Sequence, residues 1–142
     1  MKKALLTLVA LALLSVSAYA EGGKHKAGTV ALPHLMKILL SNSEELKITP
    51  EQQKKFDKMV STVPSKLHPM MDEAATLEKK IKKAVMKDKQ SLKDVSDDIN
   101  KLEKLKREIA QTQINAINKI QNILTDSQYK SLLVKMKKNK AC

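Results

Sequence analysis

The sequence predicts an all-α protein of four helices, built on a long, antiparallel and bent helical hairpin. Three observations point there. Only three Gly and four Pro occur in 142 residues, too few for an all-β fold built on many tight turns. Charged residues make up 30% and apolar ones 42% of the chain, with Lys, Leu, Ala and Ile prominent, which is the profile of long helices rather than of a compact enzyme core. Apolar side chains also recur at spacings of three and four along two extended stretches, the period of a helix with one buried face. The length allows one small domain.

The first segment reads as an address. Lys2 and Lys3 precede an apolar run from Ala4 to Val16, and Ala18-Tyr19-Ala20 follows with small residues at the two outer positions. This is the pattern of a secretory signal peptide over residues 1–20, cut before Glu21. The apolar run falls short of the ~20 residues a helix needs to cross a bilayer, so no stable membrane anchor is expected and the mature chain belongs in the periplasm. Cleavage takes away Lys2 and Lys3, leaving 25 basic against 15 acidic residues, so the formal charge falls from +12 to +10. Residues 21–31, with Gly22, Gly23 and Gly28, offer nothing to bury and read as a disordered leader. The helical domain is expected over 32–138 and a frayed tail over 139–142. Cys142 is the only cysteine, so it makes no intrachain disulfide, leaving a free thiol or an interchain bridge.

Within the domain, Leu35, Met36, Leu39 and Leu40 fall at helical spacing, which predicts a short helix ending near Leu46. Thr49-Pro50-Glu51-Gln52 then supplies a cap hydroxyl, a proline at the first helical position and a glutamine three residues after the cap, a capping box. The long helix that starts there carries Phe56, Val60, Val63, Leu67, Met70, Ala74, Leu77, Ile81 and Val85 on one stripe. Pro64 and Pro69 interrupt it, and each removes a backbone donor and crowds the preceding turn. The stripe continues in phase across both, so one bent helix is expected rather than two. Asp88 to Gln90 form a polar break and Ser91 caps a second long helix, whose stripe runs through Leu92, Val95, Ile99, Leu102, Leu105, Ile109, Gln113, Ala116, Ile117, Ile120 and Leu124. So short a connection folds the two long helices back on each other. Thr125 and Gln128 repeat the capping box and open a last helix with Tyr129, Leu132, Leu133 and Met136.

The two capping boxes carry a resemblance. Leu124-Thr125-Asp126-Ser127-Gln128 matches the LTxxQ motif of the Spy and CpxP family of periplasmic proteins, and Ile48-Thr49-Pro50-Glu51-Gln52 matches it with Ile for Leu. The chain resembles that family from about Leu32 to Lys138. The resemblance implies a cradle-shaped homodimer of four-helix protomers and one of two roles, an ATP-independent chaperone for unfolded envelope proteins or a partner that damps an envelope-stress sensor kinase. The superfamily also includes zinc-resistance-associated proteins and periplasmic metal sensors. Pro69 beside Pro64 departs from the pattern and bears on the curvature of the cradle. A long two-helix hairpin also exposes apolar edge in a small monomer, an independent reason to expect a dimer.

Chemistry in the sequence is sparse. No Gly-rich phosphate loop, nucleophile elbow or zincin motif occurs, so no enzyme activity is expected. A pI near 9.8 raises nucleic-acid binding, but export, few aromatic side chains and the lack of a base-reading motif oppose it. A metal reading joins His34 and Met36 to His68, Met70 and Met71 as soft ligands for copper, nickel, cobalt or zinc; against it, methionine commonly fills an irregular core. No cofactor is required. The lysines supply the main functional reading. Lys79, Lys80 and Lys83 on the first long helix and Lys101, Lys104 and Arg107 on the second would attract acidic segments of unfolded clients, with neighbouring apolar edges holding them. Glu78 with Lys82, and Glu103 with Arg107, are expected to pair along their helices.

Overall fold

The computed structural model describes residues 29–30 and 32–140, with side chains described as far as residue 138. The segment expected to be a signal peptide and most of the expected leader, His25 included, lie outside the described residues, as does Cys142. The described chain is all-α and comprises α1 (Leu35–Ser41), α2 (Pro50–Met86), α3 (Leu92–Ile123) and α4 (Asp126–Lys140). No strand occurs among the described residues.

α1 ends at Ser41, short of the expected Leu46. Asn42 stops it: the side-chain amide donates to the Ile38 carbonyl at 2.7 Å and its backbone N–H to the Leu39 carbonyl, taking up groups the helix would leave open. Tight turns then carry the chain to Lys47, at φ 52°, and Leu46 is buried from the turn rather than from a helix.

α2 starts where the capping box places it. The Thr49 hydroxyl accepts from the Gln52 N–H at 3.2 Å, and the Gln52 carbonyl oxygen accepts from the Thr49 N–H at 3.0 Å. The helix then runs unbroken for 37 residues through Pro64 and Pro69, about 55 Å at 1.5 Å per residue. Packing on either side of the prolines sustains it: Met59 and Val63 press on one hydrophobic cluster, and Leu67, Met70 and Met71 on another. Pro64 thus falls between the two cores, and Pro69 within the stretch that packs on the second.

α3 returns antiparallel to α2 after a turn in which Lys89 adopts φ 53°. Ser91 caps it as expected, with the Asp94 carboxylate accepting from the Ser91 N–H at 2.9 Å and from its hydroxyl at 2.7 Å. Two stripe residues beside this turn differ from expectation. Val85 is exposed while its neighbour Ala84 is buried, because the helical period carried on from Ala74 and Leu77 reaches the seam at Ala84; Leu92, the first residue of α3, is exposed while Val95 is buried. Gln113 sits within the stripe of α3, and its buried Oε1 has no hydrogen-bond partner among the described residues. α4 runs to Lys140, two residues beyond the expected end of the domain.

The second capping box has the geometry of the first. The Thr125 hydroxyl accepts from the Gln128 N–H at 3.2 Å and the Gln128 carbonyl oxygen from the Thr125 N–H at 2.9 Å. The two boxes interlock. Gln52 Nε2 donates to Gln128 Oε1 at 2.8 Å and to the Ile123 carbonyl at 2.9 Å. Gln128 Nε2 reaches back to Gln52 Oε1 at 3.1 Å and to the carbonyls of Leu46 and Lys47. Each amide therefore caps its own helix and fastens the other helix's entry loop. Beneath the clasp lies the larger core, in which Leu35, Leu39, Leu46, Phe56, Met59, Ile120, Leu124 and Leu132 are buried and Ile48 packs against them. The apolar residue before each cap threonine, Ile48 or Leu124, thus has a place in this core.

Thr49→Ala and Thr125→Ala should each destabilise the protein by about 1 kcal/mol through the loss of a cap, measured by urea unfolding. Unchanged midpoints in both variants would refute the role given to the two boxes.

Candidate functional site

Away from the clasp the molecule narrows to a two-helix ribbon. Its core there is Ala74, Leu77, Leu105 and Ile109, with Leu67, Met70, Met71 and Leu102 partly covering it. Three ion pairs bridge α2 to α3: Lys80 with Asp98 at 2.7 Å, Lys101 with Glu73 at 2.7 Å and Lys106 with Glu78 at 2.5 Å. A fourth, Lys135 with Glu45, ties α4 to the turn after α1. Glu78 therefore turns to the opposite helix and not to Lys82, and Glu103 and Arg107 form no ion pair among the described residues. The antiparallel register sets an opposite charge beside each of these flanking side chains, and a contact across the seam also joins two helices.

The six basic residues expected to meet clients divide accordingly. Lys80 and Lys101 flank the seam in ion pairs, and the hydrogen bond from Lys101 to Glu73 raises the lysine pKa above its ordinary value. Lys79, Lys83, Lys104 and Arg107 are exposed and form no ion pair among the described residues. Lys79 lies two positions from buried Leu77, and Arg107 two positions from both Leu105 and Ile109, so each is on the outer side of its helix. The set brackets the ribbon from both sides rather than converging on one face.

A concave feature of the surface lies nearer the clasp, along the α2–α3 seam. An open cleft of about 410 Å³ is walled by Lys55, Lys58 and Lys119, with Thr62 and Asn122 beside them and Met59 and Ile123 providing apolar surface. No carboxylate is among its lining residues. A smaller cleft of about 150 Å³ is lined by Lys66, Met70, Glu108, Gln111, Thr112 and Asn115. Sequence reasoning missed the first cleft because Lys119 lies on the opposite helix from Lys55 and Lys58, and only the register brings them together. The sequence signal was the absence of acidic residues around Lys119, where Asn115, Asn118 and Asn122 stand.

The residues of the metal reading are divided between the two cores. His34 is exposed, and Met36 packs against the core beneath the clasp. Met70 and Met71 pack against the ribbon core, and His68, partly buried on α2, is engaged in an interaction of its own. Comparison of the chain with protein-family models, with curated proteins and with solved structures gives no match.

The Glu45–Lys135 tie has a pH signature. The hydrogen bond from Lys135, followed by its charge, holds the Glu45 carboxyl below its ordinary value of 4.5, with Lys138 adding to the effect. A carboxylate lowered on folding stabilises the fold above its unfolded pKa and loses that contribution as pH falls through the lowered value. Glu45→Gln should therefore lower the melting temperature slightly at neutral pH and flatten its fall below about pH 4.5. A parallel acid profile for the two proteins would refute the tie.

Proposed function

We propose that the protein is an exported, ATP-independent chaperone of the Spy and CpxP type, which acts in the periplasm on unfolded envelope proteins. What supports this reading is the cleft of Lys55, Lys58 and Lys119 over Met59 and Ile123, a basic wall beside an apolar floor, open along a helical seam. Such a surface suits an extended segment in which acidic and apolar side chains alternate. The lysines draw the segment in over a Debye length of about 8 Å, and the partly exposed Ile123 offers its apolar groups a contact. Lys79, Lys83, Lys104 and Arg107 extend the positive field along the ribbon, so that capture is fast and holding is weak. The cycle needs no nucleotide, because attraction and release are both set by the client's own exposed charge and apolar surface. A homodimer would place two such clefts on one particle and raise the effective concentration for a long client.

Residues 21–142 should suppress aggregation of a chemically unfolded client without ATP, less so at high salt. Replacing Lys55, Lys58 and Lys119 together with Glu should slow capture about ten-fold at low salt, measured by stopped-flow light scattering. Replacing Lys79, Lys83 and Lys104 with Glu should slow it less. A capture rate indifferent to both salt and charge reversal would overturn the reading.

A further inference from the structure

The turn between α2 and α3, at the far end of the ribbon, concentrates features that the core does not use and that, Lys83 apart, the client reading does not use either. Val85 is 44% exposed, Met86 74% and Leu92 75%, whereas the other large exposed apolar side chains, Val30, Ile114 and Val134, are well separated in the chain. Around these three stand Lys82, Lys83, Lys87, Lys89 and Lys93, all exposed. The four ion pairs among the described residues involve none of the five. From Lys82 to Asp94 these five lysines stand against two carboxylates, Asp88 and Asp94, and Asp94 keeps its negative charge while it accepts from the Ser91 N–H and hydroxyl.

We propose that this tip seats on an anionic lipid bilayer, with Val85, Met86 and Leu92 entering the boundary between headgroups and acyl chains and the surrounding lysines meeting lipid phosphates. The shape of the tip decides between a membrane and a protein. It is the end of a helical hairpin, where the chain reverses through Lys89 at φ 53°, and neither cleft described above includes a residue of this turn. A protein would need a matching socket to bury three side chains projecting from such an end. A bilayer surface needs none, since it deforms around apolar side chains and supplies negative charge in every direction. Three apolar side chains alone bind weakly, while each lysine at an anionic surface adds about five-fold. Binding should therefore depend on lipid charge. This inference goes beyond the client reading and stands without it, because the tip and the lysine-walled cleft share no residue.

The chain contains no Trp, so a single introduced Trp reports its own position. Met86→Trp and, separately, Leu92→Trp are made in the full chain, with Lys130→Trp on α4 as the distant control. Each is titrated with vesicles of phosphatidylglycerol and phosphatidylcholine, with vesicles of phosphatidylcholine alone, and with soluble poly-glutamate. Because the readout is local, membrane binding by the apolar N-terminal run does not itself produce the signal. Both tip probes should shift to the blue and be quenched by brominated acyl chains in the anionic vesicles only, while the Lys130→Trp probe stays in water. Adding Lys82→Glu, Lys87→Glu and Lys93→Glu to Met86→Trp should weaken the response by about a hundred-fold or more. Three results would overturn the inference: no shift at either tip probe, an equal response on neutral vesicles or at the control position, or a shift with poly-glutamate and none with vesicles, which would make the tip a site for acidic protein.

Discussion

Two side-chain amides hold this molecule's chain path together. Gln52 and Gln128 each close a capping box on their own helix and then bond to each other and to the backbone that leads into the other helix. A helix N-terminus normally leaves N–H groups to water or to a local cap. Here the cap's spare amide protons satisfy carbonyls at the ends of other elements, the Ile123 carbonyl of α3 and those of Leu46 and Lys47. One polar device thus fixes where α2 begins, where α3 ends and how α4 departs. The apolar residues beneath it, with Phe56, Leu39 and Leu132 fully enclosed, then have a defined space to fill.

From that end outward the structure thins. Four helices contribute to the core beneath the clasp, but only α2 and α3 to the core of the ribbon. No charged or polar residue is buried among the described residues, so the ribbon keeps its alignment by a narrow apolar seam with ion pairs on its flanks. Those pairs reach solvent, Lys106–Glu78 the least so, and each contributes little to stability. Their effect is on register, since a slip along the seam would set lysine against lysine. A ribbon with so few buried contacts opens locally at lower free energy than the clasped end. The two surfaces proposed to meet other molecules lie at opposite ends of that gradient, the lysine-walled cleft near the clasp and the tip at the far end of the ribbon.

The readable parts of the sequence were those set by neighbours close along the chain. Thr49 with Gln52, Ser91 as a cap, and Thr125 with Gln128 lie within one turn of each other, and the α2 and α3 stripes repeat over many turns, so caps, hairpin and most of the core were legible. Contacts between distant segments were not. The Gln52–Gln128 pair joins residues 76 apart, and nothing in either pentapeptide says that its glutamine has a second partner. The same blindness put Glu78 with Lys82 instead of Lys106, and left Lys119 out of the basic surface. The end of α1 was missed for a different reason: Leu46 keeps the helical period, but Asn42 offers the backbone a better bond and the chain takes it.

A double-mutant cycle on the clasp tests the account most directly. The stabilities of Gln52→Ala, Gln128→Ala and the double variant, each in residues 21–142, would be compared with the parent by urea unfolding. If the two amides act as one device, the losses are strongly non-additive, with a coupling of about 1 kcal/mol or more. Additive losses within about 0.5 kcal/mol would mean that each glutamine only caps its own helix, and the clasp would no longer explain the fold.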